Sequence, residues 1–201
     1  MCLPDITSRL PRSVTSPQAV RLQTFLQHVD SRLEQPWIIT IYGSAAVAFY
    51  LADEEEQQER FAYTRDIDIG KMDPDAVSSD FESDIVEPPL HFQAHDFTRW
   101  LLHPDWQASV VDISELLGTR NLTVRLLHPC DLIITKLERA ADQDFEDGLL
   151  LRERYIDDVN VVHERTYEAA KYYPLSERAR GQIEDAFEGI FEQSIDLADL
   201  L

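Results

Sequence analysis

The sequence predicts an α+β protein: an α/β core built on a mixed β-sheet flanked by helices, followed by a C-terminal helical extension. Three observations lead there. The apolar run Trp37–Tyr42 ends abruptly in Gly43-Ser44, as a strand does when it turns into a helix. The segment Thr64-Arg65-Asp66-Ile67-Asp68-Ile69 alternates polar and apolar residues with the period of a half-buried strand. From Pro129 onward the apolar residues recur at helical spacing. These features divide the chain into a core over residues 1–128, including an N-terminal helix, and a helical part over residues 129–201 packed on it.

The elements follow in order. Ser16-Pro17 reads as an N-cap with proline at the first helical position, and Val20, Leu22, Phe25, Leu26 and Val29 give the helix behind it one apolar face. Pro36 ends that helix. Trp37–Tyr42 is a strand, and Ala45–Leu51 a helix of small residues able to lie close to a sheet. Asp53–Glu59 reads as a solvated loop and Phe61–Ile69 as the second strand. Pro88-Pro89 marks a break, and Phe97–Leu102 reads as helix. Trp106–Ile113 and Leu122–Leu126 read as further strands. The last helix follows Ser176 and puts Ile183, Phe187, Ile190 and Phe191 on one face, through which a homo-oligomer could form.

Strand alternation places Asp66 and Asp68 on one face, with Ile67 and Ile69 on the other. Two neighbouring carboxylates are costly unless something cationic sits between them. Mg²⁺ suits such a pair, because it takes oxygen ligands and shares them with substrate phosphates. Gly43-Ser44 supplies what a phosphate needs: close backbone approach, N–H groups at a helix start, and a hydroxyl. The bland alternatives are two solvent-facing acids on an edge strand and a serine that only caps a helix.

Gly-Ser after a strand, Asp-x-Asp on a second strand and a lone Asp on a third resemble the DNA polymerase beta-like nucleotidyltransferase superfamily. The lone Asp matches Asp112, in Ser109-Val110-Val111-Asp112-Ile113. The run Leu127-His128-Pro129-Cys130-Asp131-Leu132, with Lys136-Leu137 behind it, resembles the bacterial AbiEii-type, minimal nucleotidyltransferase-like branch. In that branch an Asp-x-x-Asp follows the lysine, and here Asp144 and Asp147 stand in that place. The resemblance spans roughly Trp37 to Leu151. It implies a nucleotidyltransferase-like fold and transfer of a nucleoside monophosphate from an NTP to a hydroxyl acceptor. It implies Asp66, Asp68 and Asp112 as catalytic ligands of Mg²⁺ or Mn²⁺, and Gly43, Ser44, Thr64 and Lys136 as nucleotide contacts. Asp144 and Asp147 would be supporting residues, pairing with Lys136. The three carboxylates should therefore converge at one edge of the sheet. Lys136 has two readings, contact with the triphosphate or pairing with an acid of the next helix, beside the plain one of a lysine snorkelling at the core rim. The sequence departs from many relatives in the long acidic gap between Ser44 and Asp66. Arg60, in that gap, is out of certain register with the arginine some relatives carry there.

Several features carry less. His91 and His95 have helical i, i+4 spacing but no intervening Glu and no third ligand, so zinc is disfavoured against a loop or surface pair. Cys130 has no base near it in sequence and reads as structural. Trp100 and Trp106 read as core. With only two cysteines, no secretory leader and no apolar stretch near the ~20 residues of a membrane span, the expected setting is cytoplasmic, away from any membrane.

The formal net charge is −20, from 38 acidic against 18 basic side chains, with only three lysines. Such a field repels polyanions. It favours a small, cationic molecule or a protein hydroxyl as acceptor, while transfer RNA stays open through the AbiEii-type resemblance. It equally fits a compositionally biased host. The rival function is a non-catalytic interaction protein on the same fold, such as a toxin–antitoxin partner.

Overall fold

A computed structural model describes residues 3–54, 65–70, 85–95 and 100–198. Thr64, Arg60, most of the acidic gap, the start of the expected strand Phe61–Ile69 and the first residues of the expected helix Phe97–Leu102 lie outside the described residues. The chain is an α+β protein with a mixed five-stranded sheet flanked by helices. It divides into two compact units. One comprises Thr7–Asp96 and Val110–Leu127; the other comprises Met1–Ile6, Phe97–Ser109 and His128–Leu201.

The first unit holds the sheet. Its strands are β1 (Trp37–Ile41), β2 (Asp66–Gly70), β3 (His91–His95), β4 (Val111–Asp112) and β5 (Leu122–Leu126), in the order β3-β2-β1-β5-β4. β1 runs parallel to β5 and antiparallel to β2; β2 is parallel to β3, and β4 antiparallel to β5. The registers Ile41↔Ile69, Ile41↔Leu126 and Val111↔Leu126 put these four side chains on one face. Together with Ile39, Ile67 and Val124 they form the buried side of the sheet. The opposite face carries Asp66, Asp68, His91, Gln93, His95, Thr40, Arg125 and Asp112.

Helix α1 (Pro17–Arg32) starts as the sequence predicts. The Ser16 hydroxyl accepts from the Ala19 N–H, and Pro17 occupies the first turn, where its missing N–H costs nothing. Its buried face holds Leu22, Phe25, Leu26 and Val29. At its far end the Asp30 carboxylate accepts three successive backbone N–H groups, from Arg120 (3.0 Å), Asn121 (2.6 Å) and Leu122 (2.7 Å), and so fixes the entry to β5. Helix α2 (Gly43–Tyr50) is buried throughout Ala45–Tyr50, as its small residues allow, and the Tyr50 hydroxyl donates to the Leu127 carbonyl at 2.7 Å.

Three elements differ from the sequence expectation. Trp106–Ile113 is not one strand: Trp106–Ser109 forms a 3-10 turn, and only Val111–Asp112 pairs in the sheet, before the short helix α3 (Ser114–Leu117). Leu101 and Leu102 are buried but not helical. His91–His95, expected as a loop or surface pair, forms β3, an edge strand of the sheet among the described residues.

The second unit is largely helical: α4 (Pro129–Leu137), α5 (Asp142–Tyr155), α6 (Val159–Tyr172) and α7 (Glu177–Phe191). Glycines let α5 and α7 close on each other. A Cβ on Gly148 would meet Ile190 Cδ1 at 2.5 Å, and one on Gly189 would meet Phe145 Cε2 at 2.5 Å. Three buried ion pairs among the described residues tie the bundle. Arg165 on α6 donates from Nε and a terminal nitrogen to the two oxygens of Asp131 on α4, at 2.7 and 2.8 Å. Lys136 on α4 donates to Asp144 at 3.2 Å and to Asp147 at 2.7 Å, both on α5. His128 caps α4: its Nδ1 accepts from the Cys130 N–H at 3.2 Å, and its Nε2 lies 3.2 Å from the Pro4 carbonyl.

Candidate active site

Gly43 and Ser44 at the start of α2, with Asp66 and Asp68 on β2, form the candidate site. β1 ends at Ile41, Tyr42 follows, and Gly43 opens α2 with a φ of +66°. That left-handed backbone suits glycine, and it turns the chain from strand to helix within one residue. The turn is fastened to β2, because the Tyr42 N–H donates to the Asp68 carbonyl at 3.1 Å. It also leaves the first N–H groups of α2 without a side-chain cap, at the helix end that favours an anion. Ser44 occupies the second position of the helix and is half-buried.

Asp66 and Asp68 share a face of β2, as alternation requires, with Ile67 and Ile69 wholly buried behind them. The Asp68 carboxylate lies directly against Gly43, where a Cβ would fall 2.5 Å from Asp68 Oδ2. The strand-to-helix turn and the carboxylate pair thus meet at Gly43, where a side chain would run into Asp68.

Neighbouring β3 adds two imidazoles. His91 Nε2 is 2.8 Å from Asp66 Oδ1, and His95 Nε2 is 3.2 Å from Asp68 Oδ1. His95 also meets the Tyr42 ring edge-on at 5.9 Å between centroids. Sequence reasoning missed this pairing because the i, i+4 spacing was read as helical. Phe92 and Ala94 alternate with His91, Gln93 and His95, and that was the signal for a strand.

Asp112 is not brought to this place. Its register with Arg125 puts it on the same face as Asp66 and Asp68, but on the opposite edge strand. Three interstrand spacings separate β4 from β2, or about 14 Å across the sheet. The expected convergence of three carboxylates fails because β1 and β5 intervene. Asp112 is exposed, and its Oδ1 accepts from the Ser114 N–H at 2.9 Å and hydroxyl at 2.6 Å, the geometry of a local turn at the start of α3.

Lys136, Asp144 and Asp147 belong to the helical unit, where of the two functional readings of Lys136 the structure shows the pairing with acids. All three side chains are only 2% exposed. Arg139 adds a second cation on Asp144. Burial pushes the Asp144 carboxyl up, but the Arg139 hydrogen bonds and the Lys136 charge outweigh it and hold the group below its ordinary range. Burial raises the Cys130 thiol to about 12, so it carries no thiolate chemistry.

Among the described residues, no three His, Cys, Asp or Glu side chains cluster closely enough to enclose a metal ion. Mg²⁺ does not need such a cage, since it uses one or two carboxylates with waters and substrate phosphates completing its shell. The oxygen donors of Asp66 and Asp68, with the uncapped start of α2 beside them, fit that mode. No described helix is long and apolar enough to cross a membrane.

Residues 19–194 match the family described as "Nucleotidyltransferase of unknown function (DUF6036)". No curated protein and no solved structure matches the chain.

Proposed function

The chain belongs to this family of nucleotidyltransferases of unknown function, and from that premise we propose that it transfers a nucleoside monophosphate from an NTP to a hydroxyl acceptor. The observation that carries the reading is the contact between Gly43 and Asp68, which sets a phosphate-binding helix start against a carboxylate pair. Gly43 and Ser44 would hold the β- and γ-phosphates through backbone N–H groups and the Ser44 hydroxyl. Asp66 and Asp68 would hold Mg²⁺ or Mn²⁺. When bound, the metal supplies positive charge to the phosphate oxygens and lowers the pKa of the acceptor hydroxyl.

In the transfer, the acceptor oxygen forms a bond to the α-phosphorus. The bond from that phosphorus to the oxygen bridging to the β-phosphate breaks, and pyrophosphate leaves with the electron pair. The acceptor proton is released to water, to which the site opens at Asp66, the more exposed acid at 43% against 28%. Asp112 has no part in this scheme, and Lys136 acts as a structural cation of the helical unit. Thr64 adjoins β2 in sequence and remains a proposed nucleotide contact. The AbiEii-type resemblance and the net charge of −20 support, respectively, an RNA-directed relative and a small cationic or protein acceptor. The charge favours the latter.

The test is label transfer from α-phosphate-labelled NTPs, preceded by a thermal-shift panel of the four NTPs with Mg²⁺ or Mn²⁺. Nucleotide- and metal-dependent stabilisation with transfer, lost in Asp68→Asn, is the expected result.

One observation favours a second reading. No acid is found beside Asp66 and Asp68 on the described part of β3, where imidazoles stand instead. A non-catalytic interaction protein, such as a toxin–antitoxin partner on this fold, fits a site with only two acids. No stabilisation by NTP with or without Mg²⁺ would favour it.

A further inference from the structure

Each carboxylate of the pair has its own imidazole. β2 and β3 run parallel in the register Asp66↔His91, Asp68↔Gln93 and Gly70↔His95, so both histidines stand on the face that carries the acids. The contacts are not equivalent. His91 meets the acid directly opposite, whereas His95 reaches diagonally back to Asp68. In both, Nε2 approaches Oδ1. An ionised carboxylate only accepts, so the imidazole must donate from Nε2. On Asp68 the other oxygen, Oδ2, is the one that faces Gly43.

We propose that His91 and His95 are positioning residues for the metal-binding carboxylates. Each imidazole holds Oδ1 of its acid and fixes the plane in which that carboxylate meets the cation. This rests on the nucleotidyltransferase reading and adds residues to it that neither composition nor family membership assigns. The physical logic is that of hydrogen-bonded ligands in general. A ligating carboxylate held by an outer partner loses less freedom when the ion arrives, and removing that partner typically weakens binding about 10- to 100-fold. The donors also lessen repulsion between the two acids before a metal arrives. β3 is an edge strand in the described sheet and the His91 side chain is half exposed, so packing alone does not call for an imidazole at that position.

The test is Mn²⁺ binding followed by electron paramagnetic resonance of the free ion, on the wild-type chain and on His91→Ala, His91→Gln, His95→Ala, His95→Gln and Asp68→Asn. Glutamine carries an N–H donor at nearly the reach of Nε2. The alanine variants should raise the Mn²⁺ dissociation constant about 10- to 100-fold, and the glutamine variants should restore most of it. Unchanged affinity in both alanine variants would overturn the proposal. So would glutamine variants as weak as alanine, because the imidazoles would then be ligands themselves. His95 touches Tyr42 and its loss could lower stability. His91 is half exposed, so its variants decide the matter should those of His95 unfold. Wild-type affinity in Asp68→Asn would overturn the nucleotidyltransferase reading itself, and this proposal with it. Loss in Asp68→Asn with wild-type affinity in the histidine variants would overturn only this proposal.

Discussion

Gly43 and Asp68 meet so closely that a single methyl group on the glycine would fall 2.5 Å from the carboxylate. The contact joins a left-handed residue at the start of α2 to the middle of β2. Both demands on position 43, its φ and its lack of a side chain, point to glycine. Gly43→Ala should therefore cost about 1–2 kcal/mol for the backbone conformation alone, and more if Asp68 must move. It should also remove the thermal shift produced by Mn²⁺. Denaturant midpoints with and without metal check both parts. A stable variant that keeps the metal response would separate Gly43 from the site.

The sheet order distinguishes Asp112 from the other two acids. Asp112→Ala removes two local hydrogen bonds to Ser114 and should lower stability by about 1 kcal/mol. It should leave the metal-induced rise in melting temperature unchanged. Asp68→Asn should do the reverse, with the metal response abolished and apo stability nearly kept. Loss of the metal response in the Asp112 variant would bring that residue back into the site.

The contrast between these acids shows what the sequence can carry. Asp66 and Asp68 are two residues apart, and strand alternation alone puts them together. Gly43-Ser44 was legible because an apolar strand run stopped at it. Asp112 was placed by analogy of order along the chain, and sheet order is not local information. Nothing near Asp112 says that β1 and β5 lie between it and β2. The pentapeptide His91–His95 fits a period of two and a spacing of four equally, and a strand that short gives periodicity little to work on. The Lys136 pairing was one of two readings because a helical pattern shows a lysine's face but not its depth.

Lys136 sits 2% exposed between Asp144 and Asp147. Lys136→Met would take the ammonium away from two buried carboxylates, Asp144 keeping Arg139. Breaking a buried pair from one side typically costs about 3–5 kcal/mol, so this variant should be severely destabilised. Replacing Asp147 by Asn in the same chain should recover part of the loss. If Lys136→Met instead unfolds like the wild type and loses NTP affinity, the lysine serves the nucleotide after all.

His128 gives a pH prediction. Burial, aided by the charge of Arg165 and opposed by the hydrogen bond to Pro4, pushes its pKa down from 6.5 to about 4. The folded state therefore keeps this imidazole neutral while the unfolded chain takes up a proton. Stability from this group is complete above pH 6.5 and is lost as pH falls towards 4, by about 3 kcal/mol in all. Below that, Asp144 adds a second loss as its depressed carboxyl titrates. His128→Asn keeps an acceptor for the Cys130 N–H but cannot titrate. Chemical denaturation at pH 7 and pH 4.5 should show a smaller drop for the variant than for the wild type. Equal drops would remove His128 as the cause.

The last prediction concerns the acceptor. A chain with 38 acidic and 18 basic side chains repels phosphate backbones, and the repulsion is strongest when salt is low. On the proposed reading a nucleotide would escape this, because its few charges would be met at one place by a metal and the N–H groups of α2. A long nucleic acid must also cross the surrounding field. Filter binding or gel shift with transfer RNA should therefore show no retention at low ionic strength, where basic proteins bind best. Labelled NTP should instead modify a cationic small molecule or a basic protein when these are offered with Mg²⁺. Tight retention of transfer RNA that weakens steeply with salt would reveal a local basic surface strong enough to overcome the net charge. It would turn the acceptor assignment from small molecules to RNA and leave the chemistry at Asp66 and Asp68 as proposed.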